Sequence, residues 1–205
     1  MFHYRASGVF VPVFYILVTC RTGDSYWDMI HCVVQATDQQ IEPAEIVCDF
    51  ESGLVNALQT QFANAIILGC LFHLKQTLRR AMKRYAIPDE ECQIPMTIGV
   101  LDTLAVMEHG QVRKGMKWAK REVKPRCAVA GLTYSTEKWG RIGTTLAWLD
   151  QYTNEVWNVF GLNNALIART NNPLERFNRE LNSRFPRPHP SMATFVTVIN
   201  TLSSE

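Results

Sequence analysis

The sequence predicts an α/β protein, and two observations support this class. Short apolar strands alternate with amphipathic helices along the first ninety residues. Such alternation favours helices packed on a sheet whose later strands pair in parallel. The hydrophobic fraction of 47% over 205 residues is enough to bury a core. The predicted strands cover residues 9–20, 45–49 and 65–70, and the predicted helices cover residues 25–36, 51–62 and 71–85.

The pattern changes after the third helix, which Pro88 stops. Residues 95–163 show no clear strand and are rich in leucine and tryptophan, so an all-helical insertion is predicted there. A helix opened by Pro173 and a last amphipathic helix follow. The predicted division is a partial α/β core at 1–90, a helical insertion at 91–163, and C-terminal helices completing the core at 164–205. No apolar run is long enough to span a bilayer.

Asp49 is the first candidate site residue, because it ends a short apolar strand and a helix follows at once. Ligands of open α/β sheets bind beyond the carboxyl ends of the strands, so an acid there points into a candidate site. The alternative is that Asp49 only caps the next helix. Glu51 could assist with a metal or simply favour the helix N-terminus.

Glu175 is the second candidate, in the stretch RTNNPLERFNRELN. Asn172 can cap a helix, Pro173 suits its first turn, and Glu175 completes a capping box, so a structural role remains open. If Glu175 converges with Asp49, the two carboxylates would suit Mg²⁺. Phosphoryl transfer would then be the natural chemistry.

Cys70 and His73 have the spacing of metal ligands. A zinc site needs about four ligands, and no second close pair completes this one. The sequence therefore favours structural roles for both residues and leaves Zn²⁺ as a less favoured possibility.

Basic residues are concentrated after residue 68, since the first 68 residues carry a net charge of −5 and the rest +7. They form a stripe on the third helix and a second cluster around Glu175. Each group is either a solvated face or a contact to a phosphate backbone, which salt would weaken. The candidate DNA-binding residues are Lys75, Arg79, Arg80, Lys83, Arg169, Asn171 and Arg179.

Four stretches taken together resemble the transposase domain of Mutator-like elements (MULE), a DDE transposase with an RNase H-like fold. They are VPVFYILVTCRTGDSYWDMI, IVCDFESGLVNAL, GCLFHLKQTLRR and RTNNPLERFNRELN. The resemblance covers most of the chain. It implies an RNase H-like mixed sheet flanked by helices, with the helical insertion before the last acidic residue.

The resemblance also implies function. Asp49 would be the second catalytic aspartate and Glu175 the catalytic glutamate, each a ligand of Mg²⁺ or Mn²⁺, while Cys70 and His73 would be motif residues. The expected partners are the terminal repeats of the element and target DNA, in the nucleus, with homo-oligomerisation left open. The expected reaction is metal-dependent phosphodiester cleavage and strand transfer.

One feature of the family is missing, because its first catalytic aspartate lies on a strand upstream of anything in this sequence. Asp24, Asp28 and Asp38 follow the first predicted strand and fall in the wrong element to replace it. The expectation is an N-terminally truncated transposase that is inactive as given. The alternative is a domesticated or degenerate remnant that binds DNA without catalysis.

Overall fold

The computed structural model describes residues 1–4, 9–97, 99–139, 152–162 and 172–204. The chain divides into two compact units. The larger unit is Leu17–Thr170, and the smaller unit combines Met1–Ile16 with Asn171–Glu205. No helix in the described ranges is long and apolar enough to cross a membrane.

The described residues are mostly helical, with short strands. The strands are β1 (Phe2–Tyr4), β2 (Val9–Val11), β3 (Glu45–Cys48) and β4 (Ile66–Gly69). The helices are α1 (Gly23–Ala36), α2 (Ser52–Gln61), α3 (Leu71–Arg84), α4 (Asp89–Met96), α5 (Leu101–Leu104), α6 (Val112–Val129), α7 (Asn154–Trp157), α8 (Asn172–Ser183) and α9 (Met192–Ser204), with a 3₁₀ turn at His109–Gln111.

A parallel strand pair organises the first half of the larger unit. β3 and β4 pair in parallel, with Cys48 opposite Gly69. The amide of Cys70 donates to the carbonyl of Cys48 at 2.8 Å and extends this ladder by one residue. Parallel strands need a crossover connection, and α2 supplies it.

Helices α1 and α2 approach each other closely beside the sheet. The Thr22 side chain caps α1 by accepting a hydrogen bond from the Ser25 amide at 3.2 Å. A Cβ atom at Gly53 would lie 3.2 Å from the Cα atom of Gly23, so glycine permits this approach. Tyr26 is buried at this contact.

The second half of the larger unit is a helical core. Polar contacts hold its segments in place: the Trp139 indole donates to buried Glu91 at 3.1 Å. The Asn158 amide donates to the carbonyls of Leu104 and Met107 at 2.9 and 2.8 Å. The core side chains include Leu74, Leu78, Met82, Cys92, Leu104, Val112, Ala119, Val123, Cys127 and Trp157.

The smaller unit joins an antiparallel strand pair, β1 and β2, to α8 and α9. Leu181 of α8 is buried. The ring of Phe185 stacks on Phe195 of α9, with centroids 5.9 Å apart, and Phe177 lies 6.0 Å from Tyr15. The apolar side chains of α8 and of Phe185 just after it therefore pack within this unit.

The mixed α/β class, the parallel pairing of the later strands and the helical character of the described part of 91–163 are confirmed.

The strand predicted over residues 9–20 is wrong beyond Val11. Val13, Leu17 and Val18 are 42%, 54% and 43% exposed and lie outside any strand. A strand needs a hydrogen-bonding partner, and in the described residues this run finds one only for its first three residues, in β1. The three-part division of the chain remains a prediction.

Candidate functional site

Asp49 lies directly after β3, at the carboxyl end of the parallel pair. Its carbonyl accepts a hydrogen bond from the Glu51 amide at 2.9 Å, which makes a tight turn into α2. Glu51, not Asp49, occupies the N-cap position of α2. The alternative that Asp49 is the cap of this helix is therefore wrong.

The Asp49 side chain contacts His73. The Nδ1 atom of His73 lies 2.8 Å from Oδ1 of Asp49. Because β4 runs parallel to β3 and α3 begins two residues after β4 ends, the first turn of α3 lies beside the end of β3. The structure thus brings together two residues that are 24 positions apart in the sequence. The Asp49 side chain is 46% exposed, so solvent reaches it.

Glu51 has structural partners. Its carboxylate accepts a hydrogen bond from the Tyr26 hydroxyl and lies 3.4 Å from the Arg21 guanidinium. Burial, followed by the hydrogen bond to Glu51, raises the pKa of Tyr26 to about 12. These contacts link α1 to the start of α2, and they assign Glu51 to holding this corner of the fold.

Cys70 and His73 have different surroundings. Cys70 is fully buried just before α3, whereas the His73 side chain is 25% exposed and faces Asp49. The Cys70 sulfur and a His73 ring nitrogen lie within 4.8 Å of each other. Two ligands fall short of the four that a structural zinc site uses, so Zn²⁺ binding stays a prediction that this pair alone does not support. Burial is the main reason that the pKa of the neighbouring Cys48 thiol is raised to about 12. Electrostatic interactions with Asp49 and Cys70 raise it further.

Glu175 belongs to the smaller unit and lies in the first turn of α8. A carboxylate there interacts favourably with the helix N-terminus. Its side chain is partly buried. The cap expected from Asn172 involves a side chain outside those described, and the convergence of Glu175 with Asp49 remains a prediction.

The predicted DNA-binding residues of α3 fall into two groups. Lys75 and Lys83 form ion pairs, to Asp102 at 2.6 Å and to Asp89 at 3.3 Å. Arg79 and Arg80 are exposed and form no ion pair with any residue that the structure describes. The two arginines are therefore more available to an external anion than the two lysines. Arg179 is exposed on α8, while Arg169 and Asn171 lie outside the described residues.

Two features of the larger unit were not predicted. The contact between Tyr26 and Glu51 joins residues of different helices, and no local signal reveals it. The other is a concentration of basic residues on α6, in a segment that had been singled out only for its leucines and tryptophans. The signal was present, because apolar residues recur along α6 with lysines and arginines between them.

In a comparison with protein-family models, residues 2–77 match the MULE transposase domain. The matched range contains Asp49, Cys70 and His73 and ends within α3, so Glu175 lies beyond it. No curated protein and no solved structure matches the chain.

Proposed function

We propose, from the premise that residues 2–77 are similar to the MULE transposase domain, that this chain derives from a DDE-type DNA transposase with an RNase H-like core. Its partners would be the terminal repeats of a transposable element and target DNA, and its location would be the nucleus. The proposed reaction is metal-dependent cleavage of a phosphodiester bond followed by strand transfer. The match and the acidic residue at the end of β3 both support the proposal.

The contact between Asp49 and His73 is the observation that carries it. Both residues lie in the matched range, and they meet at the carboxyl end of a parallel strand pair. Ligands of open α/β sheets bind at such an end. The 2.8 Å contact of His73 Nδ1 with Oδ1 of Asp49 would restrict the orientation of that carboxylate. We propose His73 as a positioning residue for Asp49.

The donor chemistry of this site suits Mg²⁺ or Mn²⁺. Asp49 offers carboxylate oxygen, and its 46% exposure leaves room for a cation that keeps several waters. Asp49 would hold the cation, and Glu175 of the smaller unit is proposed in its own right as a ligand of Mg²⁺ or Mn²⁺. When bound, such a cation supplies electrostatic polarisation of the phosphodiester oxygens. The protein contributes the placement of Asp49 through β3 and His73.

Manganese binding by the full chain, measured by calorimetric titration, tests the site without requiring turnover. Replacing Asp49 with asparagine removes the charge but keeps the size of the side chain, so we expect Mn²⁺ affinity to fall about tenfold or more. Glu175→Gln should have a similar effect, and His73→Phe a smaller one, because His73 acts through Asp49. Asp28→Asn, at an exposed position of α1, is the control for charge. Equal affinity of Asp49→Asn and Asp28→Asn would refute the metal site.

The second candidate function is DNA binding without catalysis. The exposed arginines Arg79 and Arg80 favour it, because no residue among those described neutralises them. The replacements Arg79→Gln and Arg80→Gln should weaken binding to duplex DNA, while Asp49→Asn should not. Fluorescence anisotropy with a labelled duplex at several salt concentrations measures this. If the wild-type chain does not bind at low salt, this candidate is eliminated.

A further inference from the structure

Helix α6 carries the largest net positive charge of the described helices. It has seven basic residues and a single acid, Glu122, in 18 residues. The whole chain has a net charge of +2, so the residues outside this helix sum to −4. Positive charge is therefore concentrated on α6 and on α3, which has five basic residues and no acid.

The inward face of α6 fixes the helix in the core. Its buried residues recur every three or four positions, as one helical face requires. A side chain at Gly115 would collide with Met107, so this position holds α6 close to the segment after α5. The buried residues are Val112, Gly115, Ala119, Val123 and Cys127.

The outward face is basic and has few partners. Arg126 is engaged by Glu122 at 3.4 Å. The exposed cations of α6 form no ion pair with any residue in the described ranges. They are Arg113, Lys114, Lys117, Arg121 and Lys124.

This arrangement is unfavourable for an isolated protein. Lys117 lies four residues from both Arg113 and Arg121, and like charges at this spacing destabilise a helix by about 0.2–0.5 kcal/mol per pair. A bound polyanion would convert that repulsion into attraction. From Arg113 to Lys124 the stripe extends about 16 Å, which corresponds to about five phosphates along one strand of duplex DNA.

We propose that this outward face of α6, from Arg113 to Lys124, binds the phosphate backbone of duplex DNA independently of base sequence. The inference rests on the proposed function for the identity of the polyanion. It assigns DNA contact to a surface that lies outside the matched family range and is distinct from the arginines of α3. DNA is favoured over an acidic protein because the exposed side chains of this stretch are all charged. Protein interfaces instead place apolar and aromatic side chains at their centre.

The test compares two variants with the same change in charge, using the full chain and a random-sequence duplex. Lys117→Gln with Arg121→Gln removes two charges from the face, and glutamine retains helix propensity. Gln35→Glu with Gln40→Glu lowers the net charge equally at exposed positions in and after α1. We expect the first variant to bind about tenfold more weakly and to lower the slope of log K against log salt by about 2. The control should stay close to wild type.

The outcomes separate this inference from the proposed function. If the wild type binds and both variants weaken equally, net charge alone is responsible and the α6 surface is refuted, while the proposed function stands. If the wild type does not bind duplex DNA at about 50 mM salt, the α6 surface and the proposed function are both refuted. Polyglutamate binding as tightly as DNA, with the same loss in the α6 variant, would assign the face to acidic proteins and overturn the proposal. Circular dichroism of both variants verifies that the helices are retained.

Discussion

The cysteines show how strongly the surroundings of one residue control its chemistry. Cys20 is exposed just before α1, and its sulfur lies 2.8 Å from the Ser25 hydroxyl. Hydrogen bonds from Ser25, and then Thr19, lower the pKa of the Cys20 thiol. Cys48, at the end of β3, is buried, and its pKa is raised to about 12. Because the thiolate is the reactive form, the two residues should differ widely in reactivity.

We expect Cys20 to be the first cysteine modified by iodoacetamide near neutral pH. Its rate should fall as the pH is lowered through its depressed pKa, while Cys48 should stay unmodified until the protein unfolds. Peptide mass spectrometry over time measures both rates. Cys32, also exposed, is the internal comparison. Faster modification of Cys32 than of Cys20 would contradict the role assigned to Ser25, and Ser25→Ala should slow only Cys20.

The candidate residues could be singled out from the sequence, but their contacts could not. Asp49 stood out because an acid followed a short apolar strand, and His73 because it followed Cys70 at a ligand-like spacing. The 2.8 Å contact between them depends on the pairing of β3 with β4, which single-residue patterns do not encode. The hydrogen bond from Tyr26 to Glu51 depends likewise on the packing of α1 against α2.

Among the elements, β4 shows how closely packing and site geometry are connected. A Cβ atom at Gly69 would collide with the ring of Phe50, the residue after Asp49. That ring packs edge-on against Tyr152, with centroids 5.3 Å apart. Overpacking of this kind costs about 1–3 kcal/mol.

We therefore expect Gly69→Ala to lower the free energy of unfolding by about 1–3 kcal/mol, as measured by urea titration. Gly110→Ala is the matched control, since among the described residues a Cβ atom there would meet nothing within 4 Å beyond its chain neighbours. A loss of stability equal to that of the control would show that Phe50 moves without cost. Because Phe50 adjoins Asp49, Gly69→Ala should also weaken Mn²⁺ binding if the proposed metal site is correct.

Helices with a clear periodicity of apolar residues were predicted well, whereas a strand that depends on a pairing partner was not. The helices α1, α2 and α3 follow apolar residues at helical spacing, so each was located from the sequence. The run at 9–20 is equally apolar, but strand formation requires pairing, and in the described residues only β2 pairs. Apolar composition predicted burial there, and the exposure of Leu17 shows the error.

At the scale of the whole molecule, a buried hydrogen bond between Trp139 and Glu91 connects distant parts of the helical core. Glu91 of α4 is 5% exposed, and it accepts a hydrogen bond from Trp139, which is 48 positions later and 3% exposed. A buried carboxylate that loses a donor retains its desolvation cost, about 1–3 kcal/mol or more. This contact connects α4, at the start of the helical core, with residue 139, 48 positions later in the sequence.

We expect Trp139→Phe to destabilise the protein by about 1–3 kcal/mol, because it leaves Glu91 without this donor. The double variant Glu91→Leu with Trp139→Phe should be less destabilised than the sum of the two single variants, by about 0.5–3 kcal/mol. Urea denaturation of all four proteins completes this cycle. If the changes in the free energy of unfolding of the two single variants add up to that of the double variant, the hydrogen bond contributes nothing beyond packing.

The parallel register of β3 and β4 sets limits on how the length of this chain can change. An insertion in the turn at residues 62–65 lengthens a connection without moving the Cys48 and Gly69 partners. One residue added between Ile66 and Gly69 would instead turn every later side chain of the strand to the opposite face. It would also carry His73 away from Asp49. Descendants of this sequence can therefore drift in length at the turn, whereas a single codon gained within the strand would separate the two residues permanently.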